Sequence, residues 1–422
     1  GDLWSPSACF DSFEQIRGTH DAPGPMPGTR LSHPAPLTRA FIEAAEASGQ
    51  PVVPDLNSAE GARFGLVHAN IREGRRHSAR SAYLEPWPEN LRLIAGATAH
   101  RLMSEPSGRM TVEADAAEGR FRITAEAELV LAAGAICTTA LLFNSGIGPA
   151  KRLRSAGIAP HLDLPEVGQN LQNHPSFALS MATQGGSLSG LLDPRQGMPA
   201  LYVALQGRPG PLGQPLFQAA GYFLPGAETA ETAAHGTSHP EAQVIMAPAL
   251  LPNGPRIPLR HGATFAVQQG RPLSRGRVDP NPDGGLRIDT GALSHPEDSR
   301  IMLDAIAALQ DILRQPAFAR HLRDAKALAP VDAAQLRARI GTAYHMCGTA
   351  RMGRDEGAVC TPRLRVRGAG RLRIADASVM PRIPNAALHY PTMMIAERAA
   401  AFIIEDQTGA PPEPAASERP SP

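Results

Sequence analysis

Apolar residues recur at helical spacing in two long segments, which predicts two amphipathic helices. The first helix begins at Pro36 and stops at Gly49, a residue suited to the left-handed conformation that ends helices. Its apolar face comprises Leu37, Phe41, Ala44 and Ala45. The second helix begins at a capping box of Ser294 and Glu297 and ends before Pro316. Its apolar face comprises Met302, Ala305, Ile306, Leu309, Ile312 and Leu313.

Shorter apolar patterns predict strands and two further helices. Residues 90–102 and 121–135 are predicted strands, and the second is expected to be buried because its end is continuously apolar. "RLRIADASV", residues 371–379, predicts a strand that ends in a polar turn. Residues 139–144 fit a short helix, and residues 392–404 fit an amphipathic helix.

Between residues 175 and 290, short apolar pieces alternate with stretches rich in glycine and proline. "ALYVAL" (200–205) and "EAQVIMAPALL" (241–251) are two of these pieces. The pattern predicts a separate antiparallel sheet with long loops. Residues 409–422 have no apolar face, so a disordered tail is expected there.

Composition narrows the class of ligand. The chain has 422 residues, and its 41 basic and 40 acidic side chains nearly cancel without long runs of one sign. We therefore expect a small molecule as the partner, and neither nucleic acid nor a charged membrane surface. The four cysteines show no C-x-x-C pair and no histidine at metal-ligand spacing, so we expect no disulfide framework and no metal site.

No stretch reaches 18 consecutive apolar residues, so no transmembrane segment is predicted. The chain opens with "GDLWSPSACF", without a methionine, and we expect that a preceding segment is missing. A targeting signal would lie in that segment. Localisation is therefore left open, with the cytoplasm as the default for a soluble chain.

Three stretches together resemble the glucose-methanol-choline (GMC) flavoprotein oxidoreductases. They are "GAICTTALLFNSGIGP" (134–149), "LPEVGQNLQNHP" (164–175) and "YHMCGTARMG" (344–353), the last leading into "GAVCTPRLRVRGAGRLRIADASVMPRIPNAALHYPTMMIAERAA" (357–400). Several long motifs agree with the family in order and spacing. No G-x-G-x-x-G occurs, although the family begins with a βαβ unit that carries this motif. The resemblance thus implies a member that lacks the first segment.

The resemblance implies an α/β fold, α+β overall, with FAD as the cofactor. An interrupted doubly wound FAD-binding domain is expected beside a substrate domain built on an antiparallel sheet. Residues 1–174 and 331–408 would form the FAD-binding domain, and residues 175–330 the substrate domain. The implied reaction is oxidation of an alcohol, with hydride passing from the hydroxyl-bearing carbon to N5 of the flavin.

Two histidines are the candidate catalytic residues. Oxidation of an alcohol needs a general base beside the hydroxyl, and histidine has a suitable pKa. His345 matches the family's catalytic histidine, although a lone histidine can equally be a packed residue. His389 matches the family's second position, which is asparagine or histidine, or else it caps a helix that follows Pro391. We assign the base to His345 and the hydrogen-bond donor to His389, and the two roles can be exchanged.

The resemblance also places residues at FAD. The helix that starts near Pro391 would direct its positive end at the flavin pyrimidine ring. Asp376 would orient its loop or simply form an Asx-turn, while Ala377 offers a backbone N–H. Ala99 would contact adenine through its main chain. The complete set of expected cofactor-binding residues is Ala99, Ala133, Gly134, Asp376, Ala377, Tyr390, Pro391 and Thr392.

Two neighbours of His345 are interpreted as structural. Cys347 is expected to pack rather than to act as a nucleophile, and Arg351 to brace its turn. Alternatives to the oxidase or dehydrogenase are a hydroxynitrile-lyase-like member of the same family, and a truncated fragment without cofactor or activity. The sequence identifies neither the alcohol nor the electron acceptor, which can be oxygen, a quinone or a cytochrome.

Overall fold

The computed structural model describes residues 3–18, 23–57, 61–206, 210–223, 242–251 and 260–409. The predicted disordered tail lies outside these residues, except for Gly409. That glycine ends the last helix in the left-handed conformation.

The described helices range from one turn to 20 residues. They are α1 (Pro6–Arg17), α2 (Pro36–Ala47), α3 (Ala79–Tyr83), α4 (Gly134–Asn144), α5 (Ala150–Ser155), α6 (Pro194–Leu205), α7 (Pro296–Leu313), α8 (Pro316–Ala319), α9 (Ala333–Arg339) and α10 (His389–Thr408).

The described strands are mostly short. They are β1 (Thr29–Arg30), β2 (Arg63–Leu66), β3 (His68–Ala69), β4 (Ile71–Arg72), β5 (Arg75–Arg76), β6 (Thr98–Ser104), β7 (Met110–Ala116), β8 (Gly119–Ala125), β9 (Leu129–Leu131), β10 (Ile147–Gly148), β11 (Leu162–Asp163), β12 (Pro175–Ala182), β13 (Ala219–Phe223), β14 (Ala242–Ala247), β15 (Gly262–Gln269), β16 (Arg277–Pro280), β17 (Leu286–Asp289), β18 (Gly341–Thr342) and β19 (Leu372–Ile374).

A six-stranded antiparallel sheet, ordered β18-β12-β15-β14-β13-β2, carries one of the two hydrophobic cores. Alternation along β12 buries Phe177, Leu179 and Met181 on one face. Helices α2 and α7 cover that face with the apolar residues predicted for them, all of which are buried. An antiparallel sheet and both amphipathic helices are present as predicted, but the sheet is not confined to residues 175–290, because it includes β2 and β18. Helix α2 and β2 precede residue 175, so the first part of the chain contributes to this core.

The second core surrounds a parallel pair, β9 and β19, together with α4 and α10. Arg373 in β19 is fully buried and binds Glu128 and Asp406, each at 2.8 Å. Because a buried guanidinium requires charged partners, this network fixes β19 against α10.

Two strand predictions were wrong in extent. The predicted strand 121–135 divides at Glu126, whose backbone carbonyl accepts a hydrogen bond from Arg371 at 2.5 Å. Strand β8 then belongs to the antiparallel sheet β6-β7-β8, whereas β9 pairs with β19. In the predicted strand 90–102, Gly96 adopts a φ of 68°, and regular pairing begins only at Thr98.

Three further local predictions were wrong, two of them because capping decided the structure. "ALYVAL" lies in helix α6, which Pro194 and the side chain of Asp193 initiate. The cap of α7 is His295, whose ring accepts a hydrogen bond from the Glu297 N–H at 3.3 Å. Since Pro296 occupies the first helical position, the cap falls one residue after Ser294. Helix α4 starts at Gly134, five residues before the predicted start.

Candidate active site

The segment 342–353, which contains His345, lies between two other segments of the chain. On one side Cys347 and Gln172 exchange two backbone hydrogen bonds of 3.0 Å. On the other side the N–H of Gly348 donates to the carbonyl of Ala377 at 3.1 Å. The segment therefore joins the start of the large sheet to the end of β19.

His345 is held by two residues of the segment 164–175. Its backbone N–H donates to Oδ1 of Asn173 at 2.9 Å. Its ring nitrogen Nδ1 lies 2.9 Å from Nδ1 of His174, and the two rings meet edge to face. The ring of His345 is half-buried. The backbone and one ring nitrogen are thus both fixed, which orients the imidazole.

His174 is a site residue that the sequence analysis missed. It is fully buried, and its Nε2 lies 3.1 Å from the carbonyl oxygen of Pro384. Its position in "LQNHP", inside a stretch that resembles the family, could have indicated a role in the site. Its contact with His345 spans 171 residues along the chain, so no local periodicity could indicate it.

Burial keeps both rings neutral near pH 7. It lowers the pKa of His174 to about 4, and the ring of His345 acts in the same direction. The carbonyls of Pro384 and Gly270 raise this pKa, but their effect is smaller. Burial also lowers the pKa of His345 below its ordinary value.

His389 is the first residue of α10 and has a different environment. Its Nδ1 lies 3.4 Å from Nδ2 of Asn70. The Asn70 side chain also lies 3.1 Å from the hydroxyl of Tyr390, which donates to the carbonyl of Met26 at 2.6 Å. Burial and, to a lesser degree, the charge of Arg76 lower the pKa of His389.

The alternative role of His389 as a cap for a helix that follows Pro391 is wrong. Helix α10 already begins at His389, with Leu388 at the cap position and no side-chain cap. The N–H of Thr392 donates to the carbonyl of Leu388 at 2.9 Å, which includes His389 in the first turn. Among the described residues, no hydrogen bond or ring contact joins His345 to His389.

Four of the expected cofactor-binding residues lie together where β9 and β19 end. The carboxylate of Asp376 accepts hydrogen bonds from the Gly134 N–H at 2.9 Å, from Thr138 Oγ1 at 2.5 Å and from the Ser378 N–H at 2.8 Å. It therefore binds the start of α4 to the turn that contains Ala377. Ala133 immediately precedes α4.

The backbone in this region fits a large phosphate-containing cofactor such as FAD. Gly134 has a φ of +84°, and a Cβ atom at this position would meet nothing within 4 Å. Open space beside an unsubstituted backbone permits close approach of a ligand. The first turn of α10, with Tyr390, Pro391 and Thr392, has no side-chain cap, so its positive end is available to negative charge.

Ala99 lies on β6, at one edge of the sheet β6-β7-β8. Strand β6 is joined to α4 by the hydrogen bond from the Leu102 N–H to Oγ of Ser145, at 2.7 Å. Ala99 is exposed and its backbone belongs to an edge strand.

The neighbours Cys347 and Arg351 have structural environments. Burial raises the pKa of the Cys347 thiol to about 12, which leaves it protonated and unsuited to nucleophilic attack. Arg351 forms a bidentate pair with Asp355 at 2.8 and 2.9 Å. This pair holds the turn that follows the motif.

Comparison with known proteins gives the family. The N-terminal model of the GMC oxidoreductase family matches residues 2–176, and its C-terminal model matches residues 272–396. Alcohol dehydrogenase [acceptor] of Pseudomonas putida is 30% identical over 96% of this chain and 76% of its own length. Oxygen-dependent choline dehydrogenase of Vibrio vulnificus (strain YJ016) is 32% identical over 96% of this chain and 75% of its own length.

Solved structures agree in fold. Pyridoxine 4-oxidase from Mesorbium loti superposes with a TM-score of 0.79 and 28% identity over 95% of this chain and 77% of that chain. A variant of formate oxidase from Aspergillus oryzae RIB40, solved to study the modification of its FAD, has a TM-score of 0.83 at 21% identity, over 97% of this chain and 80% of that chain. At that identity the second likeness shows the fold alone.

Fold and comparisons together define an α/β flavoprotein with a FAD-binding domain and a substrate domain, which confirms the predicted fold class. The chain belongs to the GMC oxidoreductase family of FAD-dependent enzymes, which includes alcohol and choline dehydrogenases. The exact domain boundaries stay a prediction. No helix of the described residues combines the length and apolarity of a membrane span, and no three metal-ligating side chains gather among them.

Proposed function

We propose that His345 is the general base in the oxidation of an alcohol by this protein. FAD, when bound, supplies the chemistry of hydride acceptance. His345 takes the hydroxyl proton, because it is neutral near pH 7 and its Nδ1 is already engaged with His174. The proposal rests on this pairing, because it leaves Nε2 of His345 as the ring nitrogen for the substrate.

His389 is proposed as the second residue that contacts the alcohol. It is neutral near pH 7 and stands at the N-terminus of α10, where its ring can donate a hydrogen bond to the substrate oxygen. The same helix end would offer partial positive charge to the cofactor in its reduced, negatively charged form. Tyr390, Pro391 and Thr392 would hold the cofactor there.

The remaining cofactor contacts are proposed from the segment around Asp376. Gly134 and Ala377 would approach the cofactor through their backbones, next to Ala133. Asp376 would act indirectly, since its carboxylate is already engaged by three donors. Ala99 would contact the distal end of the cofactor through the edge of β6.

The substrate is proposed to be a small alcohol of the kind that the relatives' names mention. Anaerobic mixing of the FAD-bound protein with primary alcohols, choline and pyridoxine tests this directly. We expect at least one of them to bleach the flavin absorbance, with the spectrum in buffer as the control. Cyanohydrin cleavage without any bleaching would instead support the lyase, and a protein that binds no FAD would support the inactive fragment.

A further inference from the structure

We propose that His174 is a positioning residue that fixes the tautomer of His345. Its ring accepts a hydrogen bond from Nδ1–H of His345 and so leaves Nε2 of His345 free of a proton. This inference rests on the proposed role of His345 as the base. It concerns a residue that touches neither the alcohol nor the cofactor in the proposed mechanism.

The direction of each hydrogen bond follows from what the partners can donate. The carbonyl oxygen of Pro384 can only accept, so Nε2 of His174, 3.1 Å away, carries the proton. A neutral imidazole has one N–H, so Nδ1 of His174 is an acceptor. Nδ1 of His345, 2.9 Å from it, is then the donor. His345 has thereby used its single N–H, and Nε2 holds a lone pair.

The opposite arrangement is unfavourable at this separation. If the proton of His345 were on Nε2, two lone pairs would face each other across 2.9 Å in a buried environment. Protonating His174 would place a charge on a ring with no solvent exposure, next to the imidazole of His345. The backbone carbonyls of Pro384 and Gly270 near His174 favour its charged form, but less than burial disfavours it.

The Pro384 carbonyl reaches the ring of His174 because residue 270 is a glycine. Gly270 follows β15, and a Cβ atom there would lie 1.7 Å from Oδ1 of Asn385. The absence of a side chain at residue 270 therefore lets the segment with Pro384 and Asn385 pack directly on the end of the strand. This packing holds the Pro384 carbonyl at the ring of His174.

The backbone of His345 has a separate anchor in Asn173. Removing the acceptor at residue 174 should consequently alter the tautomer of His345 more than its position. Two variants exploit this difference. His174→Asn keeps an oxygen acceptor near the position of Nδ1, whereas His174→Leu is similar in size and has no acceptor.

The first measurement is single-turnover flavin reduction against pH. His174→Leu should reduce the limiting rate constant by about tenfold, the effect of one lost hydrogen bond, with little change in the apparent Kd of the alcohol. His174→Asn should recover to within about threefold of the wild type. His261→Leu is the matched control, because His261 bonds Ser187 at the opposite end of β12 and should keep the wild-type rate. Retained FAD absorbance shows that each variant is folded.

The second measurement needs no substrate. Nitrogen-15 NMR of histidine-labelled protein, with His345 assigned by substitution, should show a protonated Nδ1 on His345 in the wild type and a mixture of tautomers in His174→Leu. A protonated Nε2 in the wild type, or equal losses in His174→Asn and His174→Leu, would overturn the proposal. If no alcohol reduces the flavin, the proposed function fails, while the NMR result still decides the role of His174.

Discussion

The two histidines of the candidate site lie in contrasting surroundings. His345 is half-buried between the start of β12 and the end of β19, and its backbone and one ring nitrogen both have partners at 2.9 Å. His389 is exposed at the first turn of α10, and its nearest ring partner is the Asn70 amide at 3.4 Å. A base benefits from a fixed tautomer, whereas a donor tolerates adjustment to the substrate. The contrast therefore supports the proposal that the more constrained ring takes the proton.

The largest effect on flavin reduction should come from removing the imidazole of His345, the more constrained of the two rings. His345→Ala removes the proposed base, so flavin reduction by alcohol should slow about 10²–10⁴-fold while FAD stays bound. Stopped-flow absorbance measures the rate, and the flavin spectrum before mixing is the control. An unchanged rate would show that His345 is not the base.

Lowering the pH should reduce the free energy of unfolding chiefly through His174. A histidine whose pKa falls from 6.5 to about 4 on folding binds more protons in the unfolded chain than in the folded chain between these values. The free energy of unfolding therefore decreases as pH falls through this window, by up to about 3 kcal/mol. The lowered pKa values of His345 and His389 act in the same direction.

Urea titrations at several pH values between 4 and 6.5 measure this dependence. His174→Leu should show a smaller pH dependence than the wild type, whatever its absolute stability. The same slope in both proteins would mean that His174 is not the group that titrates.

A smaller effect is expected from Gly270→Ala. The added Cβ would displace Asn385 and strain the segment that supports His174, so the free energy of unfolding should decrease by about 1–3 kcal/mol. Gly185→Ala is the matched control, because nothing lies within 4 Å of its Cβ position. Equal stability of the two variants would show that the close approach at Gly270 is not required.

The smallest effect should come from the neighbour of the exposed histidine. Asn70→Ala removes a long hydrogen bond to His389, and flavin reduction should slow by less than about threefold. Stopped-flow absorbance again measures the rate, and the flavin spectrum before mixing is the control. A loss of tenfold or more would indicate that His389 is constrained as strongly as His345.

Sequence patterns predicted the parts of the fold that depend on local periodicity. The buried faces of α2 and α7 follow from apolar spacing, because helical geometry alone decides which residues share a face. The cap at His295 and the helix at 200–205 were mispredicted, since one proline at the first helical position outweighed the neighbouring pattern.

The candidate site was predictable only in part. His345 and His389 were identified by resemblance to a family, whose motifs are contiguous in sequence. His174 and Asn70 were missed, because their contacts with those histidines join residues 171 and 319 positions apart. Tertiary packing brings such pairs together, and a single sequence carries no periodic signal for it.

The assignment of the base is tested most directly by the same substitution at both histidines. Asparagine can donate a hydrogen bond to the substrate oxygen but cannot take its proton at neutral pH. Single-turnover flavin reduction should therefore slow at least about tenfold more in His345→Asn than in His389→Asn, since loss of a general base typically costs 10² or more. A greater loss in His389→Asn would reverse the two roles, and small losses in both would show that neither histidine carries the proton.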